Sequence, residues 1–200
     1  MLRTRLVDLV LNEPLVGSWR RGTCAAVSGR VLEIGFGSGA NLAHYGPLVS
    51  EVLAVDPSDD GWLLAADRVA AFGRPVNRVG TTAELLALPD GSADAVVSTW
   101  TLCSIPDLGQ ALAEARRVLK PGGALHFAEH SLHPNPRVQR IARAIQPLWG
   151  RVSGGCHIDR DLPALLAEAG WTVPELHARQ VLGGPATPFA WFLRGRALPS

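Results

Sequence analysis

The sequence predicts one α/β domain: a seven-stranded, mostly parallel sheet with helices on both faces and an antiparallel hairpin at the C-terminal end. Three observations predict it. From Arg30 onward, short apolar runs alternate with stretches of helical period, the pattern of βα units and a parallel sheet. The first run ends in a glycine-rich turn, Gly35-Phe36-Gly37-Ser38-Gly39, and the next ends in a carboxylate, Asp56. The last two strand-like segments follow one another with no helical stretch between them.

The elements follow in order. Leu2, Leu6, Leu9 and Val10 stand at helical spacing and predict a short amphipathic helix, and a second spans about 16–27. Strands are expected at 30–34, 51–55, 76–80, 94–98 and 123–129, with helices at 39–46, 59–72 and 107–119 between them. Leu108, Ala111, Leu112, Ala115, Val118 and Leu119 give that last helix its apolar face, and Asp107 caps it. Lys120-Pro121-Gly122-Gly123 ends it. Residues 131–157 are rich in Pro, Gly, Arg and His and hold at most one helix, around 137–145. A helix over 161–170 ends at Gly170, and strands at 172–181 and 188–195 flank Gly183-Gly184-Pro185. The expected layout is a helical extension (1–29), a cofactor-binding core (30–130) and an acceptor-side segment with the hairpin (131–200).

The 200 residues suit one domain with a substantial core. With 47% hydrophobic residues, 18% charged residues and a net charge of +1, the chain gives no electrostatic reason to expect a nucleic-acid partner. No apolar run reaches the roughly 20 residues that span a bilayer, and the basic N-terminus is interrupted by Asp8, Asn12 and Glu13. A cytoplasmic protein is expected, with peripheral membrane contact through the first helix the less favoured option. Cys24, Cys103 and Cys156 are odd in number and far apart, which fits a reducing compartment. The spacing of His130, His133, Cys156 and His157 matches no tetrahedral signature, so no metal is expected.

The glycine turn and Asp56 together describe a nucleoside-cofactor site. Glycines let backbone approach a ligand closely, and an acid at the next strand tip can accept hydrogen bonds from ribose hydroxyls. Gly35, Gly37 and Ala40 also satisfy the dinucleotide pattern, so spacing alone leaves nicotinamide and flavin cofactors open. The stretch Glu33-x-Gly35-x-Gly37-x-Gly39 resembles motif I of class I S-adenosylmethionine-dependent methyltransferases. Thr82-Ala83-Glu84 with Leu88-Pro89-Asp90-Gly91-Ser92 resembles the adenine loop of ubiquinone-biosynthesis-type methyltransferases. Leu102-Cys103-Ser104-Ile105, Phe127-Ala128-Glu129-His130 and Gly155-Cys156-His157-Ile158-Asp159-Arg160 look like segments of the methyltransferase-like 7 group of thiol S-methyltransferases. The resemblance spans about 30–195 and implies a Rossmann-like fold, S-adenosylmethionine as cofactor and a small methyl acceptor, thiol sulfur favoured. It departs from the animal group at the N-terminus, where no long membrane-anchoring run is found.

On that resemblance, Gly35, Gly37 and Gly39 make room for the methionine moiety, and Glu33 either orients the loop or reaches the amino group through water. Asn41 steadies the carboxylate end, Asp56 takes the ribose, and Pro57, Thr82, Ala83 and Glu84 border the adenine. Thr99 lines the methionine end. Trp100, Leu102, Trp149 and Phe189 are candidates for an apolar acceptor pocket or simply core. His130 is the candidate base or hydrogen-bond partner of the acceptor, and His157 and Arg160 sit in a segment that either forms a lid or caps a helix. A quinone- or phospholipid-type acceptor, and a non-catalytic relative that only binds the cofactor, are the competing expectations.

Overall fold

In the computed structural model, residues 14–181 and 187–200 are described. The predicted helix over 2–11 and the Gly183-Gly184-Pro185 turn lie outside them. The chain runs α1 (Pro14–Cys24), β1 (Gly29–Ile34), a 3-10 turn (Leu42–His44), β2 (Val49–Val55) and α2 (Asp59–Phe72). Then come β3 (Val76–Gly80), β4 (Ala93–Thr99), α3 (Leu108–Val118), β5 (Leu119–His130) and α4 (Pro136–Val152). It closes with α5 (Leu162–Glu168), β6 (Trp171–Gln180) and β7 (Trp191–Pro199).

The seven strands lie in the order β3-β2-β1-β4-β5-β7-β6, with β1 to β5 mutually parallel and β7 antiparallel to both β5 and β6. β1 lies between β2 and β4, which places the order reversal beside its C-terminal tip, where open α/β sheets bind ligands. Alternate residues feed two cores. Leu32, Leu53, Val55, Val96 and Phe127 pack with Leu108, Leu112, Ala115 and Leu166 on one face. Val31, Val52, Ala54, Ala95 and Val97 pack with Cys24, Phe36, Tyr45 and Ala65 on the other. Strands covered on both faces need little alternation of polarity, which is why they read as continuous apolar runs.

Local signals set most boundaries. Ser58 and Asp107 cap α2 and α3 by accepting hydrogen bonds from the Gly61 and Gln110 backbone N–H groups at 3.0 Å. The Lys120–Gly123 turn is absorbed as an irregularity of β5, whose register against β4 shifts there. Two expectations are corrected. The helix expected over 39–46 is only the 3-10 turn Leu42–His44: the Asn41 side chain caps nothing because it is used below β1, and Gly46-Pro47 stops the chain from winding on. The helix expected over 137–145 instead runs Pro136–Val152, through Pro147. Its inner face, Ala142, Ile145 and Trp149, covers Cys103, Cys156 and Ile158, and that packing outweighs the missing N–H of Pro147.

Candidate active site

The site forms at the C-terminal tips of β1, β2 and β4. A cleft of about 430 Å³ is lined by Gly35, Asp56, Pro57, Thr82, Ala83, Glu84, Trp100, Thr101 and Ser104, among others. A larger groove of about 560 Å³ runs between α1 and the hairpin, but no residue of the glycine loop lines it, nor does Asp56.

Asp56 ends β2 almost fully buried, with both oxygens engaged: Oδ2 accepts from the Gly37 N–H at 2.8 Å and Oδ1 from the Ser58 N–H at 2.8 Å. A carboxylate offers about four lone-pair positions, so two remain to take ribose hydroxyls. The same bonds lock the glycine loop to the strand tip. Gly35 has φ +79°, and a Cβ there would stand 2.5 Å from Thr101 Cβ. Gly37 has φ +53°, and a Cβ there would meet nothing within 4 Å. The loop therefore presses against the protein at Gly35 and leaves a side-chain-free cradle at Gly37. That space, with a buried carboxylate beside it, fits a nucleoside cofactor carrying a methionine tail.

Beneath the loop lies a polar network. Asn41, 1% exposed, donates from Nδ2 to Glu33 Oε1 at 3.0 Å and to Thr99 Oγ1 at 3.1 Å. Tyr45 donates to Glu33 Oε2 at 2.7 Å. Arg20, from α1, donates through Nη1 to Asn41 Oδ1 at 2.9 Å and to Thr99 Oγ1 at 2.6 Å, and its guanidinium stacks over the Trp100 ring at 4.8 Å. Burial pushes the Glu33 carboxyl up to about 7, although hydrogen bonds from Tyr45 and Asn41 and the Arg20 charge act to lower it. Glu33, Asn41 and Thr99 thus form the floor that holds the loop. Both Glu33 oxygens are taken up by side chains beyond the glycine loop, Asn41 and Tyr45.

The adenine-side loop is stapled to α3. Arg117 donates to Leu88 O at 2.7 Å and Leu86 O at 2.9 Å and pairs with Glu114 and Asp90, while Glu114 Oε2 accepts from the Leu86 N–H at 2.8 Å. The Arg117 guanidinium, above all, holds the Glu114 carboxyl down to about 2. Within the cleft lining Thr82 donates to Glu84, and Ala83 between them is buried.

At the far end, the peptide after β4 turns at Trp100, whose φ of +53° is rare for a bulky residue. Glu129, fully buried on β5, secures that turn: Oε1 accepts from the Thr101 N–H at 2.9 Å, the Leu102 N–H at 3.0 Å and Ser98 Oγ at 3.0 Å. Arg160 clamps the next residues, donating to Leu102 O at 2.9 Å and Ile105 O at 2.7 Å. Its main contacts are with this loop and not with a helix end. His157 points to Asp159 at 3.5 Å, and its backbone N–H donates to Cys103 O at 2.9 Å. His130 packs edge-on to Phe192, with Nδ1 3.8 Å from Cys156 Sγ. Cys103, His130 and Cys156 converge, their ligand atoms all within 4.8 Å of one another. The three residues come from the loop after β4, the end of β5 and the segment after α4, so linear spacing could not show their convergence.

The acceptor-side candidates divide. Trp100 lines the cleft, Leu102 belongs to the main core, and Trp149 stacks on Phe189 at 5.0 Å over the cysteine cluster. Sequence reasoning missed Arg20, Tyr45, Glu129 and Arg117. Glu129 stood inside the quoted segment Phe127-Ala128-Glu129-His130, and Arg117 lay just before the Lys120-Pro121-Gly122-Gly123 turn, but neither was singled out.

The doubly wound sheet, the glycine cradle and the strand-tip acid define a class I methyltransferase. Residues 32–127 match the methyltransferase domain family. The chain is 36% identical over 147 residues to thiol S-methyltransferase TMT1B of Rattus norvegicus, covering 70% of this chain and 58% of that protein. It is 32% identical over 177 residues to thiol S-methyltransferase TMT1A of Homo sapiens, covering 84% and 69%. It is also 34% identical over 142 residues to demethylmenaquinone methyltransferase of Clavibacter sepedonicus, covering 69% and 56%. The structure of geranyl diphosphate methyltransferase in complex with its methyl donor superposes with a TM-score of 0.68 at 13% identity, covering 90% and 83%, a likeness of fold alone. The chain belongs to the S-adenosylmethionine-dependent methyltransferases, and S-adenosylmethionine is the cofactor of that family. It spans a little over half the length of the rat relative, 58%. Among the described residues, no helix is long and apolar enough to cross a membrane.

Proposed function

We propose that this chain transfers a methyl group to a small, apolar acceptor, with a thiol sulfur as the favoured atom. The observation that carries the reading is the placement of the cofactor cradle and the cysteine–histidine cluster on two sides of one loop, 99–104. S-adenosylmethionine supplies an activated sulfonium methyl when bound. The protein's work is then to bind, align and exclude water. Gly35, Gly37 and Gly39 leave room for the methionine part, Asp56 receives the ribose, and Pro57, Thr82, Ala83 and Glu84 border the adenine. Glu33, Asn41 and Thr99 hold the loop from below. Trp100 and Trp149 give the acceptor end its apolar character. A thiol reacts as the thiolate, and its ordinary pKa near ~8.5 calls for help at neutral pH. His130, partly exposed at the end of β5, is the residue assigned to take the acceptor's proton in this reading. Arg160 keeps residues 102–105 in place, and His157 fastens the neighbouring segment to Cys103.

The relatives favour sulfur through the two thiol S-methyltransferases, and a quinone-type acceptor through demethylmenaquinone methyltransferase, so a quinol is the second reading. Calorimetric titration with S-adenosylhomocysteine, with NADH as control, followed by labelled methyl transfer to a panel of thiols, quinols and amines, separates the cases. Binding of S-adenosylhomocysteine alone with methylated thiol is the expected result. Label only on quinols or on phospholipid amines would replace sulfur as the acceptor. Label on nothing would leave a cofactor-binding protein without transfer, and tight NADH binding would overturn the cofactor itself.

A further inference from the structure

We infer that Cys103, His130 and Cys156 form a binding site for one divalent, thiophilic metal ion of the zinc type. Three elements bring them together: the loop after β4, the end of β5 and the segment after α4. Two thiols and an imidazole are the donors that borderline-soft ions prefer. With ordinary zinc–sulfur and zinc–nitrogen bonds, neighbouring ligand atoms of a tetrahedral ion stand roughly 3.5–3.8 Å apart. Cys156 Sγ and His130 Nδ1 are 3.8 Å apart, and all three ligand atoms fall within 4.8 Å, so closing on an ion needs only small side-chain movement.

The surroundings fit a cation. Cys103 and Cys156 are buried under an apolar cover of Leu132, Ile145 and Trp149, which excludes competing water ligands. Glu129, the residue before His130, is fully buried, and its Oε2 has no hydrogen-bond partner. Two thiolates balance the charge of a divalent ion, and any proton the thiols carry leaves to solvent on binding.

Three protein ligands leave the fourth position open, as in catalytic rather than structural zinc sites. The cluster lies one to two residues behind the cofactor cleft along the chain, since Ser104, next to Cys103, and Gly154, two before Cys156, line that cleft. An acceptor thiol taking the fourth position would give its proton to solvent on coordination and be held as thiolate at neutral pH. That role rests on the thiol reading above, whereas the metal site does not.

The test is titration of the reduced, metal-stripped full chain with Co²⁺ and then Zn²⁺. The expected result is one equivalent bound with a near-ultraviolet thiolate-to-cobalt absorption, and bleaching of the colour by Zn²⁺. Cys103→Ser, Cys156→Ser and His130→Ala should each weaken Co²⁺ binding at least tenfold while S-adenosylhomocysteine affinity stays within twofold, which shows the fold intact. Retained binding in the Cys103→Ser/Cys156→Ser double variant, or no thiolate absorption in the wild-type chain at saturating Co²⁺, would overturn the site. So would a Cys103–Cys156 disulfide that, once reduced, still takes up no ion. Addition of a small thiol to the cobalt form should shift its visible spectrum. An unshifted spectrum with the ion in place would remove the acceptor role and keep the metal site, and lost S-adenosylhomocysteine binding would instead count against the cofactor reading.

Discussion

Adding one methyl group to Gly37 and, separately, to Gly35 distinguishes a loop that cradles a ligand from one that only turns. Both residues have positive φ, so each alanine variant carries a backbone cost of roughly 1–2 kcal/mol. At Gly37 that is the whole cost, because the new Cβ meets nothing within 4 Å. For a chain of this length it should lower the melting temperature by about 2–8 °C. At Gly35 the new Cβ would lie 2.5 Å from Thr101 Cβ, and Thr101 cannot yield freely because its N–H is held by Glu129 at 2.9 Å. Overpacking adds roughly 1–3 kcal/mol there, for a total of about 2–5 kcal/mol. Affinity should separate the two in the other direction. In Gly37→Ala the methyl occupies cradle space, and a similar steric term of about 1–3 kcal/mol corresponds to roughly 5- to 150-fold weaker binding of S-adenosylhomocysteine. The assay pairs calorimetric titration with thermal melts of both variants. A Gly37→Ala protein that binds with wild-type affinity would refute the cradle, and equal melting losses for the two variants would refute the packing argument at Gly35.

Asp56→Ala should weaken S-adenosylhomocysteine binding by about 1.5–3 kcal/mol, the range for hydrogen bonds to a charged group, and unchanged calorimetric affinity would remove the ribose from this carboxylate. Arg20→Met leaves Asn41 Oδ1 without the 2.9 Å bond it accepts and Thr99 Oγ1 without the 2.6 Å bond; denaturant unfolding should show a loss of about 1–3 kcal/mol, with weaker cofactor binding. Glu33 gives a pH signature. Its folded carboxyl sits at about 7, above the ordinary value of 4.5, so its contribution is fully present below 4.5 and is lost as pH rises through 7. At 1.36 kcal/mol per unit this is of order 3 kcal/mol, and Glu33→Gln should flatten the fall in stability between those two values. An identical pH profile for the variant would show that Glu33 titrates normally. Arg160→Ala, which removes the bonds to Leu102 O and Ile105 O, should raise KM for the acceptor more than it affects S-adenosylhomocysteine affinity; equal loss of both would mean the clamp serves the whole cleft.

What was legible in the sequence is what is encoded locally. Strands β1, β2 and β4 and helix α2 follow from contiguous apolar runs and near-neighbour caps such as Ser58. The glycine loop and Asp56 were legible because their chemistry requires fixed residue types at the ends of adjacent strands. The buried floor was not. Arg20 lies 21 residues from Asn41 and 79 from Thr99, and an arginine on an amphipathic helix ordinarily reads as a solvated face. Glu129 and Arg117 likewise act on residues about 30 positions away. The cysteine–histidine cluster escaped because a metal signature is a spacing, and these three residues share none. α4 was cut short because Pro147 reads as a break, whereas its inner face continues along Ala142, Ile145 and Trp149.

The six residues from Thr99 to Ser104 have a consequence for how such a protein can change. Thr99 belongs to the cofactor floor, Trp100 to the cleft wall and Cys103 to the far cluster, all on one short peptide tied down by Glu129 and Arg160. A shift of the backbone there would reach the cofactor floor, the cleft wall and the cysteine cluster together, whereas a single side chain can be exchanged on one side alone. The freer ground is the pair Trp149 and Phe189, which stack on each other and bond to neither tether. A lineage, or a directed-evolution library, seeking a new acceptor would gain most by varying those two aromatics while leaving the shared peptide alone.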